Sequence, residues 1–198
     1  MTCQSTEPTD AIESDGRADN NSRSVETDRI ASAMKDLRNT GWYWGGLTAT
    51  EAKEILQDTS EGTFLVRDSS QTDFLFTISA MTSAGPTNLR IEYKHGKFKL
   101  DSVVLVKPKL KQFDSVVHLV EHYVHLSRTG DQTPLDPRPS AAPSNGVVQL
   151  LLTRPVYTAT PPLQHLCRIA INQRTRRVQD LPLPIRLKDY LTDYSYNV

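Results

Sequence analysis

The sequence predicts an α+β fold that ends in a small all-α unit. Three observations predict it. A helix start at Thr48 is followed by a series of strand-like runs broken by turn residues. Phe113 to Ser127 keeps an apolar period of a helix. Beyond Tyr157 the chain turns to short helical patterns separated by proline. With 198 residues there is room for one medium domain and an appendage, or for two small domains. The 23 basic and 23 acidic residues cancel to a formal charge of +0, which argues against a nucleic-acid or membrane surface and leaves room for a local basic pocket. Two cysteines, Cys3 and Cys167, build neither a disulfide framework nor a metal site. No apolar stretch approaches a membrane span, so a cytoplasmic, reducing setting is expected.

The elements follow in order. Residues 1–28 are rich in Ser, Thr, Asp, Glu and Asn and are expected to be disordered, because so little apolar surface cannot offset the entropy of ordering. Asp28 is the expected N-cap of a helix over 29–40, with Ile30, Ala33, Met34 and Leu37 on one face. Thr48-Ala-Thr-Glu51 is a capping box, followed by Ala52, Ile55 and Leu56 on one face. Strands are expected at Thr63 to Arg67, Phe74 to Ala80 and Leu89 to Tyr93, with a shorter one at Lys97 to Leu100. In the helix from Phe113, Val116, Leu119, Val120, Tyr123 and Val124 share one side, and His118, Glu121, His122 and His125 the other. Arg128 to Gly146 reads as a long loop and Val147 to Thr153 as a strand. After Pro161-Pro162 a helix starts near Leu163, Leu181-Pro-Leu-Pro184 interrupts regular structure, and Arg186 to Tyr194 is a last short helix.

The most informative segment is Gly62-Thr-Phe-Leu-Val-Arg-Asp-Ser-Ser70, in which Arg67 ends an apolar strand and a hydroxyl-rich loop follows. A buried guanidinium needs an anionic partner. An internal carboxylate would serve, and so would solvent at the strand end. A phosphate would serve too, bound bidentately by the planar fork, with Ser69, Ser70 and loop N–H groups on its other oxygens.

Gly41-Trp-Tyr-Trp-Gly45, the capped helix, FLVRDSS, the further strands and the helix at Phe113 together resemble an SH2 domain over residues 41–157. The resemblance implies a central antiparallel sheet flanked by two helices and a deep phosphotyrosine pocket. Its phosphate ligand would be Arg67, its phosphate loop Ser69 and Ser70, and its supporting contacts Thr77 and Arg90. Many such domains carry a second arginine early in the first helix, where this sequence has Ala49, and Arg90 would compensate.

In the C-terminal part, Leu163, Cys167 and Ile171 recur every four residues on one face, with Leu166 beside them. That face either packs on its own domain or enters a partner's groove. Pro162-Leu163-x-x-x-Cys167-x-x-x-Ile171 resembles the BC box that binds Elongin C. Leu181, Pro182, Leu183 and Pro184 resemble the element that selects a type-five cullin. Residues 158–198 would then be a SOCS box. An SH2 domain followed by a SOCS box is the arrangement of the suppressor of cytokine signalling family, with the helix over 29–40 as its extended SH2 subdomain. The resemblance implies a non-catalytic adaptor of a ubiquitin ligase. Its partners would be tyrosine-phosphorylated cytokine receptors of the growth-hormone-receptor type, Elongin C, Elongin B and a type-five cullin with its RING protein, and it would need no cofactor. An adaptor that only competes for receptor phosphotyrosine would need Arg67 but not Leu163 or Cys167. A zinc-peptidase reading rests on His118-Leu-Val-Glu-His122, but no glutamate follows Glu121 to serve as third ligand.

Overall fold

The computed structural model describes residues 17–101, 111–129 and 151–198. Helix α1 (Arg17–Arg38) leads to α2 (Ala49–Leu56), strands β1 (Thr63–Asp68), β2 (Phe76–Thr82), β3 (Gly85–Lys94) and β4 (Lys97–Leu100), and helix α3 (Val116–Thr129). A two-residue strand β5 (Arg154–Pro155), helix α4 (Leu163–Arg174), a 3₁₀ turn at Val178–Asp180 and helix α5 (Ile185–Asp193) complete the described chain. The sheet order is β4-β3-β2-β1-β5, antiparallel except for the parallel pairing of β5 with β1. This is the expected α+β fold.

Strand β1 is central because two segments share its second edge. Along its C-terminal half the Trp44 amide donates to the Val66 carbonyl, and the amides of Val66 and Asp68 donate to the carbonyls of Trp42 and Gly45. Along its N-terminal half, Thr63 and Phe64 pair with Arg154 and Pro155. Gly62 makes that second pairing possible. Its φ is +85°, and a Cβ there would lie 2.5 Å from the Thr153 hydroxyl. With both edges paired, β1 buries five of its six residues, an apolar run with Arg67 at its end.

The two sheet faces are covered by different helices. Phe64, Val66, Phe76, Ile78, Ala80 and Ile91 join Leu119, Val120 and Val124 of α3 and Ala33 and Leu37 of α1 in the main core. On the other face Leu65 packs with Ala52 and Leu56 of α2. Thr48 caps α2 in the predicted way, with its hydroxyl accepting from the Glu51 amide and the Glu51 carboxylate accepting from the Thr48 amide.

Four expectations are corrected. The first helix begins at Arg17, so Asp28 is an interior helical residue and not an N-cap. Once the Ala33–Leu37 end is packed, each upstream residue adds a backbone hydrogen bond at low cost, which polar side chains do not prevent. Residues 1–16 of the expected disordered tail lie outside the described residues. The strand expected at Val147 to Thr153 is displaced: residues 151–153 are not strand, 147–150 lie outside the described residues, and Arg154–Pro155 makes the pairing instead. Most of the Arg128 to Gly146 loop is likewise outside them. Strand β3 begins at Gly85, four residues before Leu89, because its start pairs with the end of β2. Glu121 of α3 is buried, although its neighbours on the wheel are polar.

The burial of Glu121 has a local cause, the docking of the C-terminal unit. Its carboxylate accepts from the Arg176 guanidinium (3.1 Å) and from the Asn197 amide (3.0 Å). Ile169, Tyr194, Tyr196 and Val198 enter the same core as the sheet. The Tyr196 hydroxyl donates to Asp36 of α1 (2.9 Å) and lies 3.3 Å from the Ser115 hydroxyl.

Candidate functional site

Cross-strand register places the phosphate-ligand candidates. Arg67 of β1 faces Thr77 of β2, and Thr77 faces Arg90 of β3, so the three share one row on the α2 side of the sheet. The next row on the same face is Leu65, Ser79 and Asn88. Arg67 is 3% exposed. Its Nε donates to the Ser79 hydroxyl (3.0 Å), one terminal nitrogen to the Asn88 side-chain oxygen (3.1 Å) and the other to the Asp68 carbonyl (3.1 Å). The Ser79 hydroxyl also donates to the Asn88 oxygen (2.7 Å). Burial pulls the Arg67 guanidinium below its ordinary value, the mark of a cation short of solvation.

Arg67 therefore has neutral acceptors and, among the described residues, no carboxylate partner. The adjacent Asp68 carboxylate is occupied by the Tyr43 hydroxyl (2.5 Å). Of the partners left open by the sequence, the internal carboxylate is thus not found among the described residues. A cavity of about 260 Å³ opens beside the cluster, between α2 and the β2–β3 strands, lined by Ala49, Lys53, Ser79 and Asn88 among others.

The other predicted residues are placed differently. Ser69 and Ser70 start the turn after β1, where the Ser69 amide donates to the Leu75 carbonyl and its hydroxyl accepts from the Gln71 amide. Ser70 is exposed. Thr77 is buried in the Arg67 row. Arg90 shares that row but turns to the loop: it pairs with Asp101 (2.8 Å), donates to Gln71 (2.7 Å) and stacks on Phe74 (4.8 Å). Ser79, Asn88 and Lys53 were missed in the sequence. Period-two alternation from Thr77 and Arg90 would have found the first two.

The second candidate surface lies on α4, which is inside out. Its packed face is His165, Arg168, Ile169 and Asn172, all buried. The Asn172 amide donates to the carbonyls of Tyr194 (2.7 Å) and Tyr196 (2.9 Å), and Arg168 stacks over the Tyr190 and Tyr194 rings. Its outer face carries Leu163 (76% exposed) and Leu166 (41%), with Cys167 exposed and Ile171 half-buried. The alternative in which this apolar stripe packs on its own domain is excluded by that orientation. Pro162 is the N-cap residue, with extended backbone and no side-chain bond. Leu181, Pro182 and Leu183 wall an apolar groove of about 500 Å³ whose other wall includes Ala170 and Ile171, so the two predicted motifs adjoin. Pro184 precedes α5, where Ile185 and Leu187 are also exposed.

The zinc-peptidase pattern is not assembled. Glu121 is held by Arg176 and Asn197, and among the described residues no group of three or more His, Cys, Asp or Glu is arranged to hold a metal.

Comparison with known proteins agrees with this geometry. Residues 42–123 match the SH2 domain model and residues 159–192 the SOCS box model. Suppressor of cytokine signaling 2 of Bos taurus is 58% identical over 178 residues, covering 88% of this chain and 85% of that protein. The Homo sapiens protein of the same name is 56% identical over 178 residues, with the same coverage of 88% and 85%. Cytokine-inducible SH2-containing protein of Gallus gallus is 48% identical over 179 residues, covering 85% of this chain and 72% of that one.

Proposed function

Because this chain belongs to the suppressor of cytokine signaling family, we propose that it restrains cytokine signalling as the substrate-recruiting, non-catalytic adaptor of a ubiquitin ligase. On this reading residues 41–157 capture phosphotyrosine on activated cytokine receptors of the growth-hormone-receptor type. Residues 158–198 recruit Elongin C with Elongin B, and a type-five cullin with its RING protein. Residues 29–40, the end of α1 and the turn after it, are the extended SH2 subdomain that precedes the domain proper. The setting is cytoplasmic, where such receptors present their phosphorylated tails. No described helix is long and apolar enough to cross a membrane.

The observation that carries the first half is Arg67, a buried cation whose partners among the described residues are all neutral. A phosphotyrosine supplies the missing charge, about −1.5 to −2 at neutral pH. Ser69 and Ser70 take the remaining oxygens, Thr77 lines the floor and Arg90 flanks the ring. The second half is carried by the outward apolar stripe, in which Pro162, Leu163, Leu166, Cys167 and Ile171 meet Elongin C. Leu181, Pro182, Leu183 and Pro184 contact the cullin. The chain then acts as a tether that raises the effective concentration of the receptor beside the charged conjugating enzyme.

Co-expression with Elongin B and Elongin C, followed by purification through a tag on this chain, tests the reading. A stoichiometric ternary complex that Leu163→Asp abolishes, with phosphotyrosine-peptide binding retained, is the expected result. A monodisperse chain that purifies free of both Elongins would leave only competition for receptor phosphotyrosine.

A further inference from the structure

A second pocket lies on the far side of the molecule from Arg67, in the seam between α3 and the C-terminal unit. It is a cavity of about 490 Å³ whose walls include His118, His122 and His125 of α3 and Arg174 at the end of α4. A neighbouring hollow of about 290 Å³ shares His125 and Arg174 and adds Arg128. The sizes suit a small molecule.

The charged groups lining this seam are predominantly basic. Its one carboxylate, Glu121, is already neutralised by Arg176 and the Asn197 amide. Arg174 makes no side-chain hydrogen bond or ion pair among the described residues, and Arg128 holds only the Thr153 carbonyl (3.0 Å). Two of the imidazoles are held by aromatic rings: His118 meets Tyr196 edge to face (4.8 Å between centroids) and His122 lies tilted against Phe113 (5.1 Å). Further charges face the histidines from the segment before α3 and from α1. Lys111 adds to the positive field at His122, Asp114 pairs with Lys97 and also interacts with His118, and Asp36 of α1 accepts from the Tyr196 hydroxyl beside His118. The Val198 residue is buried, its carbonyl oxygen accepting from the Tyr194 hydroxyl.

We propose that this seam is a binding site for a small polyphosphorylated anion, gripped by Arg174, Arg128 and the three α3 histidines. Fixed guanidinium charge gives the anion its base affinity, and the imidazoles add to it as they protonate. An imidazole ordinarily charges as the pH falls through about 6.5. Burial, then Lys111 and His125, hold His122 below its ordinary value. Binding therefore tightens with acidity. The anion would touch α3 on one side and α4 on the other, fastening the receptor-binding unit to the ligase-binding unit.

Calorimetric titration of the full chain with inorganic tripolyphosphate, at about pH 7.5 and about pH 6, tests this. Saturable 1:1 binding is expected, at least about tenfold tighter at the lower pH and weakened at least about tenfold by Arg174→Ala. Arg67→Lys should leave it unchanged, which separates this site from the phosphotyrosine pocket. Parallel titrations with ATP and inositol hexakisphosphate should give the same dependence on Arg174, and the tighter of the two marks the source. Arg174 is exposed, so an unaltered melting temperature and phosphopeptide affinity will show that its variant is folded. Absence of binding, indifference to Arg174→Ala, or loss in Arg67→Lys would each overturn the proposal.

Discussion

At the scale of single residues, Arg67 depends on the shape of its head group as much as on its charge. Three nitrogens are used at once, on Ser79, Asn88 and the Asp68 carbonyl. A lysine ammonium is a point donor on a flexible stem and cannot hold these acceptors while presenting a fork to phosphate. Arg67→Lys is expected to weaken phosphotyrosine-peptide binding by about 100-fold or more, since charge-assisted bonds contribute about 1.5–3 kcal/mol each. Calorimetry with a phosphorylated and an unphosphorylated peptide checks it, and retained affinity would mean that the pocket lies elsewhere. Arg67 itself was legible in the sequence, because a charge at the end of an apolar run is conspicuous. Its supports were not. Ser79 and Asn88 are remote in sequence and become neighbours only through the β1–β2–β3 register. For Arg90 the resemblance to SH2 domains pointed to the strand beside Thr77, yet Asp101 and Gln71, invisible to any local pattern, decide where its head group points.

At the scale of elements, α4 separates a packing face from an outward one. The apolar spacing of Leu163, Cys167 and Ile171 was readable, but not its direction, because the buried side of the helix is mostly polar. His165, Arg168 and Asn172 can be buried only because aromatic rings and the backbone carbonyls of residues 190–196 receive them. Substitutions on the two faces should therefore differ in kind. Ile169→Ala removes a core side chain and is expected to cost about 2–4 kcal/mol in chemical denaturation. Leu163→Asp, at an exposed position, should leave the unfolding midpoint nearly unchanged while Elongin binding is lost. Leu163 is also the first helical residue after an extended Pro162, where proline is tolerated. Leu163→Pro should thus keep the helix and fail only in Elongin capture, which circular dichroism alongside a pull-down would separate. If Leu163→Asp destabilised the fold as much as Ile169→Ala, the outward face would be misassigned. The capping box of α2 is the opposite case, legible because Thr48 and Glu51 are three residues apart and satisfy each other. Thr48→Ala should cost about 1 kcal/mol.

At the scale of the whole molecule, the SH2 and SOCS box units share one core, and a deletion after Tyr157 would strip Tyr194, Tyr196 and Val198 from it. The seam also makes stability depend on pH. His165 is buried in it, and its Nδ1 lies 2.8 Å from an Arg168 nitrogen that can only donate, so Nδ1 must be the unprotonated acceptor. Burial, then the Arg168 charge, lowers the His165 value, with an opposing contribution from the Thr40 backbone. His122 is lowered as well. In the unfolded chain an imidazole takes up its proton near pH 6.5, whereas in the folded chain these two do so only at lower pH. Between those values the unfolded state binds more protons, so stability rises with pH across the window. It is fully present above about 6.5 and falls as the solution is acidified below that. The melting temperature in phosphate-free buffer should accordingly drop between about pH 7 and about pH 5.5. His165→Asn keeps an acceptor for Arg168 without a titrating proton, so its decline should be shallower than that of the unmodified chain. A variant that loses stability with acid as steeply as its parent would show that His165 is not the group whose protonation unfolds the seam.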